Sequence, residues 1–188
     1  MPNGFFVFTK VGGPAAERIR EIQRRYDPKL AAVHDPHLTL AGSSGVGPIN
    51  ASTPLDEVRA AMVWVASETP PLSLVFGRPT RFMQTEIVSL PLDPHGPIRE
   101  LHDRIARSGL SFGPARFTFT PHVTLSFYPE LSRERARELL SIRVDEPAEF
   151  SSLTVSATDD PMPPQPLLEI LLGRRSPDGP LAGTHERG

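Results

Sequence analysis

Apolar positions along the chain recur in two rhythms, and the rhythm changes at nearly every cluster of Gly and Pro. Phe5–Thr9 is a short apolar, aromatic run and reads as the first strand. After Gly12-Gly13-Pro14, Ile19, Ile22 and Tyr26 return at helical spacing among Arg and Glu. That spacing predicts an amphipathic helix over Ala15–Tyr26, which Asp27-Pro28 stops. Thr53 with Asp56 three residues on, and Pro54 between them, predicts a capped helix to about Glu68 with an apolar stripe of Leu55, Val58, Met62 and Val65. Strands are expected at Leu72–Phe76, Thr80–Phe82 and Ile87–Leu92, then a helix from Pro97 that turns Ile98, Leu101 and Ile105 inward. Arg116–Thr120 reads as extended chain, and Ser132 and Arg135 open a charged helix that buries Ala136, Leu139 and Leu140. Phe150–Ala157 and Leu167–Leu172 close the pattern as strands. Gly42–Ser52 reads as the most flexible internal stretch, Asp159–Pro166 as a proline-rich loop, and 176–188 as a disordered tail.

One phrase is written twice in this pattern. Pro36-His37-Leu38-Thr39-Leu40 returns as Pro121-His122-Val123-Thr124-Leu125, 85 positions later. Each copy reads as a strand, and a period of two puts His37 with Thr39, and His122 with Thr124, on a polar face above an apolar base. The elements around the two copies repeat in order: strand, helix, His/Thr strand, helix, strand. Two halves, roughly 5–82 and 87–172, can then pack about an approximate two-fold axis as one bilobal domain over 1–175, bringing their polar strand faces together.

Composition narrows the chemistry. With no cysteine, disulfides and thiolate zinc sites are excluded. A net charge of −2 offers no long basic track for duplex DNA but leaves room for a small phosphate pocket. No stretch approaches the length of a membrane span, so a cytoplasmic protein is expected; a monomer is expected as well. His34 and His37 would face opposite ways in a strand and no third ligand lies close, so no metal is expected; His95 and His102 read as surface histidines.

Histidine exchanges protons near neutral pH, and two facing imidazoles can supply a base and an acid at once. A threonine beside each can donate its hydroxyl to an anionic oxygen, so the four groups suit in-line displacement at a phosphodiester. The doubled phrase resembles the paired His-x-Thr signatures of the 2H phosphoesterase family, which includes 2′-5′ RNA ligase-like proteins and RNA 2′,3′-cyclic phosphodiesterases. The likeness extends from Phe5 to about Leu172.

The resemblance implies an α+β fold, bilobal, with two antiparallel sheets around a central cleft and helices outside. It implies that His37, Thr39, His122 and Thr124 are catalytic, that no cofactor is needed, and that the substrate is an RNA end or a small nucleotide carrying a 2′,3′-cyclic phosphate. On this reading His122 is the general base and His37 the general acid, and opening leaves a 2′-phosphate. The rivals are a 2′-5′ RNA ligase or 2′-5′ phosphodiesterase, and a non-catalytic RNA-binding module with the same cleft. Tyr128, on the His122 face, is a candidate to stack on a base; Phe82 stands where relatives often carry an aromatic residue near the nucleotide, and Arg81 could add positive potential.

Overall fold

The computed structural model describes residues 4–82, 85–127, 131–157 and 165–173. Tyr128, the tail 176–188 and most of the proline-rich loop lie outside the described residues. The order of elements is β1 (Phe5–Lys10), α1 (Gly13–Tyr26), α2 (Pro28–Val33), β2 (His37–Ala41), α3 (Leu55–Ser67), β3 (Leu72–Leu74), β4 (Thr80–Arg81), β5 (Val88–Pro91), α4 (Pro97–Ala106), β6 (His122–Ser126), α5 (Arg133–Ser141), β7 (Ala148–Phe150), β8 (Ser152–Ala157) and β9 (Gln165–Leu171). The fold is α+β, with antiparallel sheets and peripheral helices. Hydrogen bonding divides the described strands among three sheets, in the orders β2-β1-β8-β9, β4-β5-β6 and β3-β7. The halves exchange strands, because β8 and β9 complete the sheet that carries β2, and β7 pairs with β3.

The two His/Thr strands are built alike. In β1–β2, Phe8 pairs with Thr39 but Val7 pairs with Ala41, which leaves Leu40 as the extra residue of a bulge. In β5–β6, Ser89 pairs with Thr124 and Val88 with Ser126, which leaves Leu125 in the same position. A bulge reverses the in–out alternation. Ala41 and Ser126 are therefore buried although strict parity would put them on the polar face. Leu38 and Leu40 in one strand, and Val123 and Leu125 in the other, are fully buried and fix which way each polar face looks. Each such aliphatic side chain contributes about 1.5–3 kcal/mol of burial.

The helices cross between halves. α1 packs on β6 and α4 packs on β2, while β2 and β6 themselves lie side by side without pairing. Ile19 and Ile22 of α1 and Ile98, Leu101 and Ile105 of α4 enter one shared core.

Several elements differ from the pattern expected of the sequence. Asp27 ends α1 but also starts α2, its carboxylate accepting the Leu30 N–H at 2.9 Å; with Pro28 in the first turn it restarts the helix rather than ending helical structure. Thr53 does not cap α3, which begins behind Pro54 without a side-chain cap. Leu55 is exposed, and Leu140 is only half-buried. The strand expected at Phe150–Ala157 breaks at Ser151 into β7 and β8, which join different sheets. Arg116–Thr120 forms no strand but bonds to the 42–52 segment, where Gly45 N–H reaches the Phe117 carbonyl and Arg116 N–H reaches that of Ser43. That segment is consequently tied down: Ile49 also exchanges two backbone hydrogen bonds with Phe5. His102 is buried in α4, stacked on Phe119 with ring centroids 3.9 Å apart, not on the surface.

Candidate active site

His37 and His122 open β2 and β6, and each enters its strand through a proline. Both rings are held in the same way. Nδ1 of His37 lies 2.8 Å from the Asp35 carbonyl, and Nδ1 of His122 lies 2.6 Å from the Thr120 carbonyl. A carbonyl only accepts, so Nδ1 carries the hydrogen in the neutral ring and Nε2 presents its lone pair. Two equivalent turns, each using the carbonyl two residues back, therefore fix one tautomer in both motifs.

Burial pushes both imidazoles below the ordinary histidine range. For His37 burial is the main cause, opposed by the hydrogen bond to Asp35, and a positive charge on His34 or His122 works against its protonation as well. For His122 burial outweighs the hydrogen bond to Thr120. The two rings are thus within each other's electrostatic reach although their motifs are 85 residues apart. Thr39 and Thr124 are half-buried beside them, and among the described residues neither hydroxyl has a hydrogen-bond partner.

The surroundings of the two histidines differ. The Phe8 ring lies 5.1 Å from that of His37, and His34 lies 5.5 Å away on another side. These groups with Phe6, Lys10, Val33, Asp35, Thr39 and Pro166 line a pocket of about 290 Å³; His122 and Thr124 are not among its walls. His34 and His37 share this pocket, contrary to strand parity, because His34 caps the end of α2 and does not belong to the strand. Lys10 pairs with Asp35 at 3.3 Å, and Asp35 also receives Arg20 at 3.4 Å; Lys10 and Arg20 hold its carboxyl below the usual range against the opposing effect of burial. On the other motif, the rings of Phe82 and His122 meet in a T-shaped contact, with centroids 4.8 Å apart and an interplanar angle of 79°.

Of the residues singled out in the sequence, His37, Thr39, His122, Thr124 and Phe82 lie along β2, β6 and the end of β4. Arg81 does not join them: it forms an ion pair with Glu86 at 3.1 Å and lines a separate pocket against α5. Tyr128 is outside the described residues. Sequence reasoning missed two supports of β6: Gln23, which donates to the Thr124 carbonyl at 2.8 Å, and Asp27, which accepts the Phe127 N–H at 2.7 Å. A polar residue on the buried face of α1 was the available signal for Gln23. Among the described residues no three His, Asp or Glu side chains are grouped to hold a metal ion.

A family model described as the 2′-5′ RNA ligase superfamily matches residues 11–160. A protein named "Putative phosphoesterase" from Geobacillus kaustophilus is 30% identical over 104 residues, 55% of this chain and 57% of its own length. A counterpart of the same name from Geobacillus thermodenitrificans is 30% identical over 105 residues, with the same coverage. The match thus spans little more than half the length of these curated relatives. Among solved structures, E. coli LigT complexed with 3′-AMP superposes with a TM-score of 0.57 at 17% identity, covering 93% of this chain and 100% of that one. TT0787 of Thermus thermophilus superposes with a TM-score of 0.60 at 15% identity, covering 90% and 97%. At these identities the structural likeness establishes a shared fold, and the family match over most of the sequence establishes descent: the chain belongs to the 2′-5′ RNA ligase superfamily.

Proposed function

We propose that this protein is a phosphodiesterase that opens the 2′,3′-cyclic phosphate of an RNA end or nucleotide and leaves a 2′-phosphate. The observation that carries this reading is the equivalence of His37 and His122: two imidazoles on neighbouring strands, each with Nδ1 committed to a carbonyl and Nε2 uncommitted among the described residues. His122 takes a proton from water as the water oxygen bonds to phosphorus. The bond from phosphorus to the ribose 3′ oxygen breaks, and His37 gives that oxygen its proton. Thr39 and Thr124 donate to the non-bridging oxygens, where charge builds in the transition state. No step calls for a metal.

The pocket beside His37 supports this division of roles. With Phe6, Phe8 and His34 in its wall it suits a nucleobase, and a nucleoside seated there places its departing ribose oxygen on the His37 side. Solved structures of E. coli LigT complexed with 3′-AMP and with phosphate fit a nucleotide-sized substrate. The same four groups serve ligation when a ribose hydroxyl replaces water, which is the reading the family's description favours. A panel of 2′,3′-cyclic mononucleotides, cyclic-phosphate-ended RNA and 2′-5′-linked dinucleotides, each with and without chelator and followed by phosphorus NMR, tests it. Turnover of the cyclic phosphates to 2′-phosphates is expected. Binding without turnover would replace the enzyme with an RNA-binding module, and turnover of the 2′-5′ dinucleotides alone would favour the ligase chemistry.

A further inference from the structure

Behind β4 lies a second pocket, of about 390 Å³, lined by Arg81, Arg133, Ala136, Arg137 and Leu140. Arg133 and Arg137 are four residues apart in α5 and so share one face of the helix. Like charges at that spacing repel, and a cation in the first turn of a helix meets the positive end of its dipole. Glu134, also in the first turn of α5, forms no ion pair with either arginine, and the other charged groups nearby relieve one another. Arg25 pairs with Glu138, Arg135 donates to the Arg25 carbonyl, and Arg81 is balanced by Glu86. Among the described residues Arg133 and Arg137 have no carboxylate partner, and both are exposed. Two unbalanced guanidiniums beside a concave surface make a site for an anion, and arginine suits phosphate oxygens.

The pocket lies one residue along the chain from the ring that touches His122. Arg81 and Phe82 are consecutive, so in an extended chain their side chains leave opposite faces. Phe82 reaches His122, whereas Arg81 reaches the pocket. β4, which ends at Arg81, is one of the two edge strands of its sheet. A strand of RNA that crosses this end of the sheet would pass from His122 and Phe82 to Arg81 and the pocket. We propose that Arg133 and Arg137 hold a backbone phosphate of single-stranded RNA whose cyclic-phosphate end lies between His37 and His122. This rests on the phosphodiesterase reading above and adds that the preferred substrate is an oligoribonucleotide.

The test compares the wild type with Arg133→Ala/Arg137→Ala on two substrates: a 2′,3′-cyclic mononucleotide and a short oligoribonucleotide ending in the same cyclic phosphate. The double variant should raise KM for the oligonucleotide roughly tenfold with kcat unchanged, and leave the mononucleotide untouched. The salt slope of oligonucleotide binding should fall by about 0.7 for each phosphate no longer neutralised. Arg59→Ala/Arg107→Ala, which removes the same charge from α3 and the end of α4, should change neither. Equal losses on both substrates, no loss on the oligonucleotide, or the same loss from the Arg59/Arg107 variant would overturn the proposal. If the wild type turns over neither substrate, the phosphodiesterase reading fails by itself. Fluorescence anisotropy with the labelled oligonucleotide then decides this site, weaker binding by the Arg133/Arg137 variant upholding it and unchanged binding refuting it.

Discussion

Gln23 donates its side-chain amide to the Thr124 carbonyl at 2.8 Å, so a helix from the first half holds the second His/Thr strand at its threonine. One helical turn further on, at the end of α1, Asp27 takes up Ser126 and Phe127 at the far end of β6. β6 is thus pinned from across the molecule as well as paired with β5. Gln23→Leu keeps the volume and deletes the donor. It should cost about 0.5–1.5 kcal/mol in urea denaturation. Because β6 carries His122 and Thr124, kcat should also fall severalfold with KM little changed. A variant with reduced stability and unaltered kcat would confine Gln23 to the fold.

The lowered histidines set a pH dependence with a definite sign. A histidine whose folded pKa lies below its unfolded value of about 6.5 binds its proton more readily once unfolded. Stability is therefore full above about pH 6.5 and is lost as pH falls below it. His37→Ala/His122→Ala should flatten this acid limb in thermal melts run from pH 7.5 to pH 4.5, though His34 and His102, also lowered by burial, will keep part of it. In catalysis one ring must be neutral and the other protonated, so kcat/KM for a cyclic nucleotide should be bell-shaped with its maximum on the acid side of 6.5. The bound phosphate favours imidazolium and should move the kcat profile upward in pH. A kcat/KM that kept rising above pH 7 would contradict two low histidine pKa values in the free protein.

Single removal of either ring is the direct test of their roles. His37→Ala and His122→Ala should each lower kcat by about 10²–10⁴-fold, the usual contribution of a positioned acid or base. Circular dichroism and melting temperature at pH 7.5 should stay close to the wild type, because both rings are only half-buried and their strands are held by Leu38, Leu40, Val123 and Leu125. A folded single variant with near-full turnover would exclude the acid–base pairing.

Phe82 supports His122 through a T-shaped contact at 4.8 Å. Such a contact is worth about 0.5–1.5 kcal/mol beyond burial, so Phe82→Leu should reduce kcat/KM by up to roughly tenfold, and Phe82→Tyr should keep most of it. Equal activity of the Leu and Phe forms would reduce Phe82 to packing.

The repeated phrase makes much of the candidate site's layout legible in the sequence, because strand parity fixes which side chains share a face. His37, Thr39, His122 and Thr124 do lie on the half-buried faces of β2 and β6. Parity failed where the chain leaves the regular strand. It could not anticipate the bulges at Leu40 and Leu125, which bury Ala41 and Ser126, or the turn that brings His34 beside His37. Order of elements predicts two halves, 5–82 and 87–172, but the strand pairing between those two stretches spans more than a hundred residues, as in Phe5 with Ala157. Gln23 and Asp27 were hidden for the same reason, since their partners lie about a hundred residues away.

The 42–52 segment shows the opposite error, glycines read as freedom where the structure uses them for close approach. Gly45 has φ of +73°, and a Cβ there would stand 2.2 Å from Nε2 of His102 and 2.9 Å from Cβ of Phe119. His102 cannot easily yield, stacked as it is on Phe119 with its Nδ1 2.9 Å from an Asp103 carboxylate oxygen. Gly45→Ala should therefore lose the roughly 1–3 kcal/mol of a left-handed alanine plus the cost of displacing the imidazole. Adding His102→Ala removes the nearer obstacle and leaves the backbone strain and the close approach to Cβ of Phe119. The double variant should thus be more stable than the sum of the two single losses implies, by at least about 0.5 kcal/mol on the usual scale of contacting pairs. Additive losses in urea denaturation would show that the segment moves aside without meeting His102, and that β2 and α4 are not coupled through Gly45.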